Sequence, residues 1–161
     1  MKKVSHFILT FILWFPAVSV QAWNALGHRL IGQIAYNHLN QDVKERMDFY
    51  NQALDPVFHR YSFVNAAPWM DTLRYVNDVW MKTQHYIDIP FSFDGTALIQ
   101  PEEPNALTAI AHARQVLSQK QSSDYDKGFS IRILLHVIGD LHQPMHASDQ
   151  FSKEHPDGDR G

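Results

Sequence analysis

Apolar residues recur at helical spacing in three separate stretches of this chain, and that periodicity decides what it can fold into. Leu26, Leu30, Ile31, Ile34, Ala35 and Leu39 form one stripe and predict an amphipathic helix over 26–39. Ala106, Leu107, Ile110, Ala111 and Leu117, with the stem of Arg114, form a second, opening at Asn105. From about Phe129 to Leu141, isoleucine and leucine fall on several sides, the pattern of a central, buried helix. A more polar helix is expected from about Asp42 to Leu54, ending before Pro56. Another is expected to start near Pro68 and Trp69, because proline suits a first helical turn. His85 to Ile89 alternates in residue type and reads as extended. Residues 90–105, with Pro90, Gly95, Pro101 and Pro104, read as loop, and so does the polar stretch from Asp149 to Gly161. The expected class is therefore all-α: one compact multi-helix domain with long functional loops. Asp157-Gly158-Asp159-Arg160-Gly161 reads as a loop cut in its middle, so the domain is expected to be incomplete at its C-terminal end.

The 161 residues include no cysteine, which excludes disulfide staples, thiolate zinc fingers and a cysteine nucleophile together. With 45% hydrophobic residues a packed core is within reach. A formal charge of −3 argues against a broad basic face for nucleic acid. Ten histidines are the outlier, and imidazole is both the commonest metal ligand and a frequent proton carrier.

The first 22 residues stand apart. Lys2 and Lys3 precede an apolar run from Phe7 to Val20, and the segment closes on Val20-Gln21-Ala22. A basic start, an apolar middle and small residues two apart describe a secretory signal cleaved after Ala22, with a membrane anchor as the alternative. The run is short for a bilayer span and Pro16 interrupts it. The expected domain is residues 23–161, secreted or periplasmic. Clipping removes two lysines and no acid, taking the formal charge to −5. It also frees the α-amine of Trp23, which with the Trp23 carbonyl can close a five-membered chelate on a cation. The plainer role of Trp23 is a hydrophobic plug.

Four clusters carry candidate chemistry. In His136-x3-Asp140-x5-His146, residues four apart on a helix lie one above the other, so His136 and Asp140 project to one point. Pro144 stops the helix, and the chain beyond it can return His146 beside them. Two imidazoles and a carboxylate suit zinc, and a carboxylate can bridge two ions. A hydrogen-bonded histidine–aspartate pair in a core is the competing reading. His142, about 240° around the helix from His136, is expected to point elsewhere. The other clusters are Trp23-x4-His28, Asp71 with Arg74 three residues on, and His85-Tyr86-Ile87-Asp88.

These motifs, in this order, resemble the secreted zinc-dependent single-strand-specific nucleases (nuclease S-one and P-one type), a family related to the zinc phospholipases C. The resemblance runs over residues 23–161, and His136-Val-Ile-Gly-Asp-Leu-His-Gln-Pro-Met-His146 is its most diagnostic piece. It implies an all-α fold with three zinc ions. One ion would be held by Asp71, His85 and His136, with Asp140 bridging to a second. The second would be held by the Trp23 amine and carbonyl, His28 and Asp140. His146 would begin the shell of the third. Arg74 matches the arginine that neutralises phosphate charge, Tyr86 the ring on which a base stacks, and Asp88 the carboxyl that reads the base edge. If 85–89 is extended, period two puts Tyr86 and Asp88 on one face.

The implied activity is hydrolysis of single-stranded DNA and RNA to 5′-phosphate products, with 3′-nucleotidase activity at the same centre. Zinc ions sharing Asp140 would activate a bridging water, and Arg74 with Asp140 would form the catalytic pair. A phospholipase C-type phosphodiesterase is one alternative, and an inactive truncated remnant another, because His155, between Glu154 and Pro156, does not match the histidine that completes the third shell. The partners expected are single-stranded nucleic acid or a nucleotide, with no stable membrane association and no protein partner.

Overall fold

The computed structural model describes residues 23–56, 58–73 and 81–160. About 56% of the described residues are helical and 6% lie in strands, in agreement with an all-α domain. Helices α1 (Ala25–His38) and α2 (Gln41–Gln52) are followed by two short helices, α3 (Phe63–Ala66) and α4 (Trp69–Leu73). A 3-10 turn, Lys82–His85, leads into strand β1 (Ile89–Ser92). Helices α5 (Ala106–Ser118) and α6 (Asp124–Leu141), a second 3-10 turn (Pro144–His146) and strand β2 (Ser148–Phe151) complete the order.

The long helices start where a side chain can replace missing backbone partners. Asn24, Asn40, Asn105 and Ser123 each accept hydrogen bonds from the first-turn N–H groups of α1, α2, α5 and α6. Asn105 and Thr108 form a reciprocal capping box on α5. Helix α6 begins at Asp124, five residues before the apolar pattern does, because Ser123 and the acidic residues Asp124 and Asp126 make a favourable first turn without contributing to the stripe.

As expected from its composition, α6 is central. Ten of its residues are buried, and it packs against α1, α2, α4, α5 and the Lys82–His85 turn. On one side Ile133 and Val137 meet Trp69, Met70, Leu73 and Ala109. On the other, Ile131 and Leu135 meet Phe63, Ala66 and Ala67. A helix covered on most sides carries polar residues into the interior as well, and this is what puts His136 and Asp140 out of water.

Two local expectations are corrected. Residues 85–89 are not one extended run: His85 ends a 3-10 turn, Tyr86 is extended, Asp88 has φ +50°, and the strand begins only at Ile89. The stretch after His146 is not all loop, because Ser148–Phe151 pairs in parallel with β1, Ile89 opposite Ser148 and Pro90 opposite Asp149. A parallel pair between residues some 60 positions apart leaves no local signature.

Candidate metal centre

Five side chains from four elements meet at the C-terminal half of α6. His28 comes from the first turn of α1, Asp71 from α4, His85 from the end of its 3-10 turn, and His136 and Asp140 from α6. His28 and His136 stack with ring centroids 4.0 Å apart, and His85 stands edge-on to His136 at 4.7 Å. All three imidazoles are buried.

Asp140 divides its two oxygens between different neighbours. Oδ2 lies 3.0 Å from His85 Nδ1 and 3.1 Å from His136 Nε2. Oδ1 lies 3.4 Å from His28 Nε2 and 4.0 Å from His146 Nε2. Asp71, the most exposed of the five, closes the outer side, 3.7 Å from His28 Nε2 and 3.9 Å from His136 Nε2. His146, brought back by Pro144 and its 3-10 turn, sits half-buried at the edge. His142 is exposed and its ring Nδ1–H donates to the Ile138 carbonyl, so it faces away from the cluster.

The protonation pattern follows from burial and neighbours. His136 Nδ1–H donates to the Ala67 carbonyl at 2.8 Å, which leaves Nε2 as the nitrogen aimed into the cluster. His28 is lowered to a pKa of about 4, first by burial and then by His136, with Asp140 and Asp71 opposing, so its ring is neutral at pH 7. Burial pushes the Asp140 carboxyl up, but hydrogen bonds and charge from His136 and His85 outweigh it, so it ionises well below the usual carboxylate range.

Two overlapping donor sets result: His28, Asp71 and His136, and His85, His136 and Asp140, each with ligand atoms within 4.8 Å of one another. His28 Nε2 lies between the two carboxylates, 3.4 Å from Asp140 and 3.7 Å from Asp71, so it can serve with either. A neutral imidazole nitrogen facing a buried carboxylate at about 3 Å repels it unless a proton or a cation lies between. Nitrogen and carboxylate donors at this spacing are the set that zinc accepts. His28 Nδ1, on the other side of the ring against Gly139, is buried without a hydrogen-bond partner among the described residues.

Two glycines shape the site. A Cβ at Gly139 would stand 3.1 Å from His28 Nδ1 and 3.3 Å from Ile31 Cδ1, so any larger residue there would push the α1 imidazole outward by a few tenths of an ångström. A Cβ at Gly27 would stand 2.7 Å from Trp23 Cε3, which shows the indole lying on the first turn of α1, the turn that carries His28. Arg74 lies outside the described residues, as do residues 1–22.

Tyr86 and Asp88, the residues that follow His85, line a cavity of about 320 Å³ together with Lys82, Gln100, Asp149 and Arg160. They share this cavity although the backbone at Asp88 is left-handed, with φ +50°. Backbone bonds from Ile87 N–H to the His146 carbonyl and from Ile89 N–H to the Ala147 carbonyl tie this segment to the chain after α6. Asp88 is pushed up to about 6 by burial and by Asp149. Asp149, itself buried, accepts from the Arg160 backbone N–H at 2.8 Å. Sequence reasoning missed Asp149, because the strand that buries it has no local signal.

A family profile described as S1/P1 nuclease matches residues 23–161. Among curated proteins, Endonuclease 2 of Arabidopsis thaliana is 24% identical over 152 residues, 88% of this chain and 51% of that protein. Nuclease P1 of Penicillium citrinum is 24% identical over 130 residues, 77% of this chain and 47% of that protein. Nuclease S1 of Aspergillus oryzae is 23% identical over 130 residues, 77% and 44%. The chain thus spans about half the length of the curated relatives it matches.

Proposed function

The chain belongs to the S1/P1 nuclease family, and from that premise we propose that it forms the metal-binding part of a secreted zinc-dependent nuclease. Its substrates are single-stranded DNA and RNA, cleaved to 5′-phosphate products, with 3′-nucleotidase activity at the same centre. The observation that carries this reading is Asp140, one carboxylate with an oxygen toward His85 and His136 and the other toward His28 and His146.

His28, Asp71, His85, His136 and Asp140 would hold a pair of zinc ions, with the Trp23 amine and carbonyl as further donors once the leader is removed. His146 would contribute to a third site. Zinc bound there would supply a hydroxide nucleophile near pH 7 and offset the charge of the phosphodiester. Ala67 keeps His136 in the tautomer that presents Nε2. Arg74 offers a planar fork to the non-bridging phosphate oxygens, which makes negative charge easier to build during displacement of the 3′-oxygen. Tyr86 provides an aromatic face for a base and Asp88 a carboxyl for its edge. A base must leave its stack to reach them, at a cost of a few kcal/mol in a duplex, which favours single strands.

The test uses the chain beginning at Trp23, loaded with zinc and given single- and double-stranded oligonucleotides of one sequence. Single-strand cleavage with 5′-phosphate ends, abolished by a chelator and restored by zinc, is the expected result. Zinc binding without cleavage would leave the metal centre and remove the nuclease. Absence of zinc binding would remove both.

A further inference from the structure

Arg132 is the largest fully buried side chain among the described residues, 0% exposed and one helical turn before His136 on α6. Its Nε–H donates to Asn51 Oδ1 at 2.8 Å and its Nη2 to the Asn51 carbonyl at 3.2 Å. The guanidinium lies 5.4 Å from the Tyr61 ring centre and 5.6 Å from that of Trp69. Asp55, the one acid paired with it among the described residues, is 3.7 Å away. Arg132 Nη1 and Asp55 Oδ1 have no hydrogen-bond partner among those residues. A buried cation paired this loosely is a poor source of stability, and an apolar side chain of similar size commonly does as well or better. Core stability therefore does not account for an arginine here.

Its contacts do. Asn51 Nδ2 donates to the Tyr61 carbonyl, at 2.6 Å, immediately before Ser62, the N-cap of α3. Helix α3 has four residues, too few to hold its own shape. At its far end Ala67 presents the carbonyl that accepts His136 Nδ1–H. Pro68 and Trp69 follow, then Asp71 on α4. One buried guanidinium thus holds the start of this segment through Asn51 and its later part through Trp69.

We propose that Arg132 is a positioning residue, which fixes segment 61–71 so that the Ala67 carbonyl holds His136 as its Nδ1–H tautomer and Asp71 faces the cluster. The consequence for metal affinity rests on the zinc-binding reading above, whereas the consequence for the His136 tautomer does not.

The experiment compares the chain beginning at Trp23 with Arg132→Met and Arg132→Lys, using histidine-ring nitrogen NMR after chelation and zinc titration well below each melting temperature. In the parent, His136 gives the signature of one Nδ1–H held by the Ala67 carbonyl, whether or not Nε2 also carries a proton. In Arg132→Met that signature is lost and zinc binds about tenfold or more weakly, the usual cost of losing a group that orients a ligand. Arg132→Lys, which keeps the charge but not the fork, falls between. An Arg132→Met chain with the parental tautomer and parental zinc affinity overturns the proposal. If Arg132→Met does not fold, Trp69→Phe decides, since it removes the indole under the guanidinium while keeping a ring against Phe58 and Phe129. Weakened zinc binding in that variant supports the proposal, and unchanged binding overturns it. A parent that binds no zinc refutes the zinc reading and leaves the tautomer comparison to decide this one.

Discussion

Gly139 and His28 are in direct apposition: the place where a side chain at 139 would begin lies 3.1 Å from His28 Nδ1. Alanine in a helix interior is favoured over glycine by up to about 1 kcal/mol. Gly139→Ala is therefore expected to melt no lower than the parent after chelation, while the displaced His28 ring weakens zinc binding by about tenfold. Calorimetry of the chelated protein and zinc titration check the two halves. Lower stability with intact affinity would mean that the ring does not bind metal.

Asp140→Asn removes the carboxylate whose two oxygens face His85 and His136 on one side and His28 on the other. Metal analysis is expected to show two zinc ions lost together, with single-strand cleavage reduced by about a hundred- to a thousandfold, as for removal of a main electrostatic group. Loss of one ion alone would contradict a bridging carboxylate.

Trp23 rests on Gly27, and a Cβ at 27 would collide with the indole. In the chain beginning at Trp23, Gly27→Val is expected to displace that residue and reduce zinc content by one ion. Retention of an extra methionine before Trp23 should have the same effect, because it converts the amine to an amide. Full turnover in the methionine-extended chain would rule out the terminal chelate.

Asp88 titrates near 6 in the fold, raised by burial and by Asp149, against an ordinary value of 3.8. The folded state then favours the protonated carboxyl. The stability this contributes is complete below about pH 4 and is lost as pH rises through 6. Asp88→Asn carries no such proton, so its melting temperature should gain on the parent's as pH climbs from 4 to 7. Parallel melting curves across that range would show that Asp88 is not in the environment described.

Zinc itself should act as a folding ligand. Excess zinc at about a hundred times its dissociation constant contributes roughly 2.7 kcal/mol to the parent, seen as a melting temperature that rises with zinc and falls with chelator. The Asp140→Asn chain should respond far less.

Much of the architecture was legible because it is local. Stripes at 3.6-residue spacing placed α1, α5 and α6, and the proline at 68 announced α4. The i, i+4 relation alone brought His136 and Asp140 to one point, now measured at 3.1 Å. The Pro144 stop correctly anticipated the return of His146 to the edge of the cluster. Misjudged were Asp88, whose left-handed backbone breaks the run from 85 to 89, and the tail, whose strand is made by a partner about 60 residues away.

Read alone, the chain specified its helices, a leader-like start and an ordered set of histidines and carboxylates, since each depends on neighbours within a turn or two. Only the folded molecule decided that Asp140 divides its oxygens, that Ala67 selects the His136 tautomer, that Gly139 admits His28 and that Arg132 lies buried beneath them. Those are distances between segments far apart in sequence. They are set by how α1, α3 and α4 pack on α6, and close packing leaves no trace in the spacing of residues along the chain.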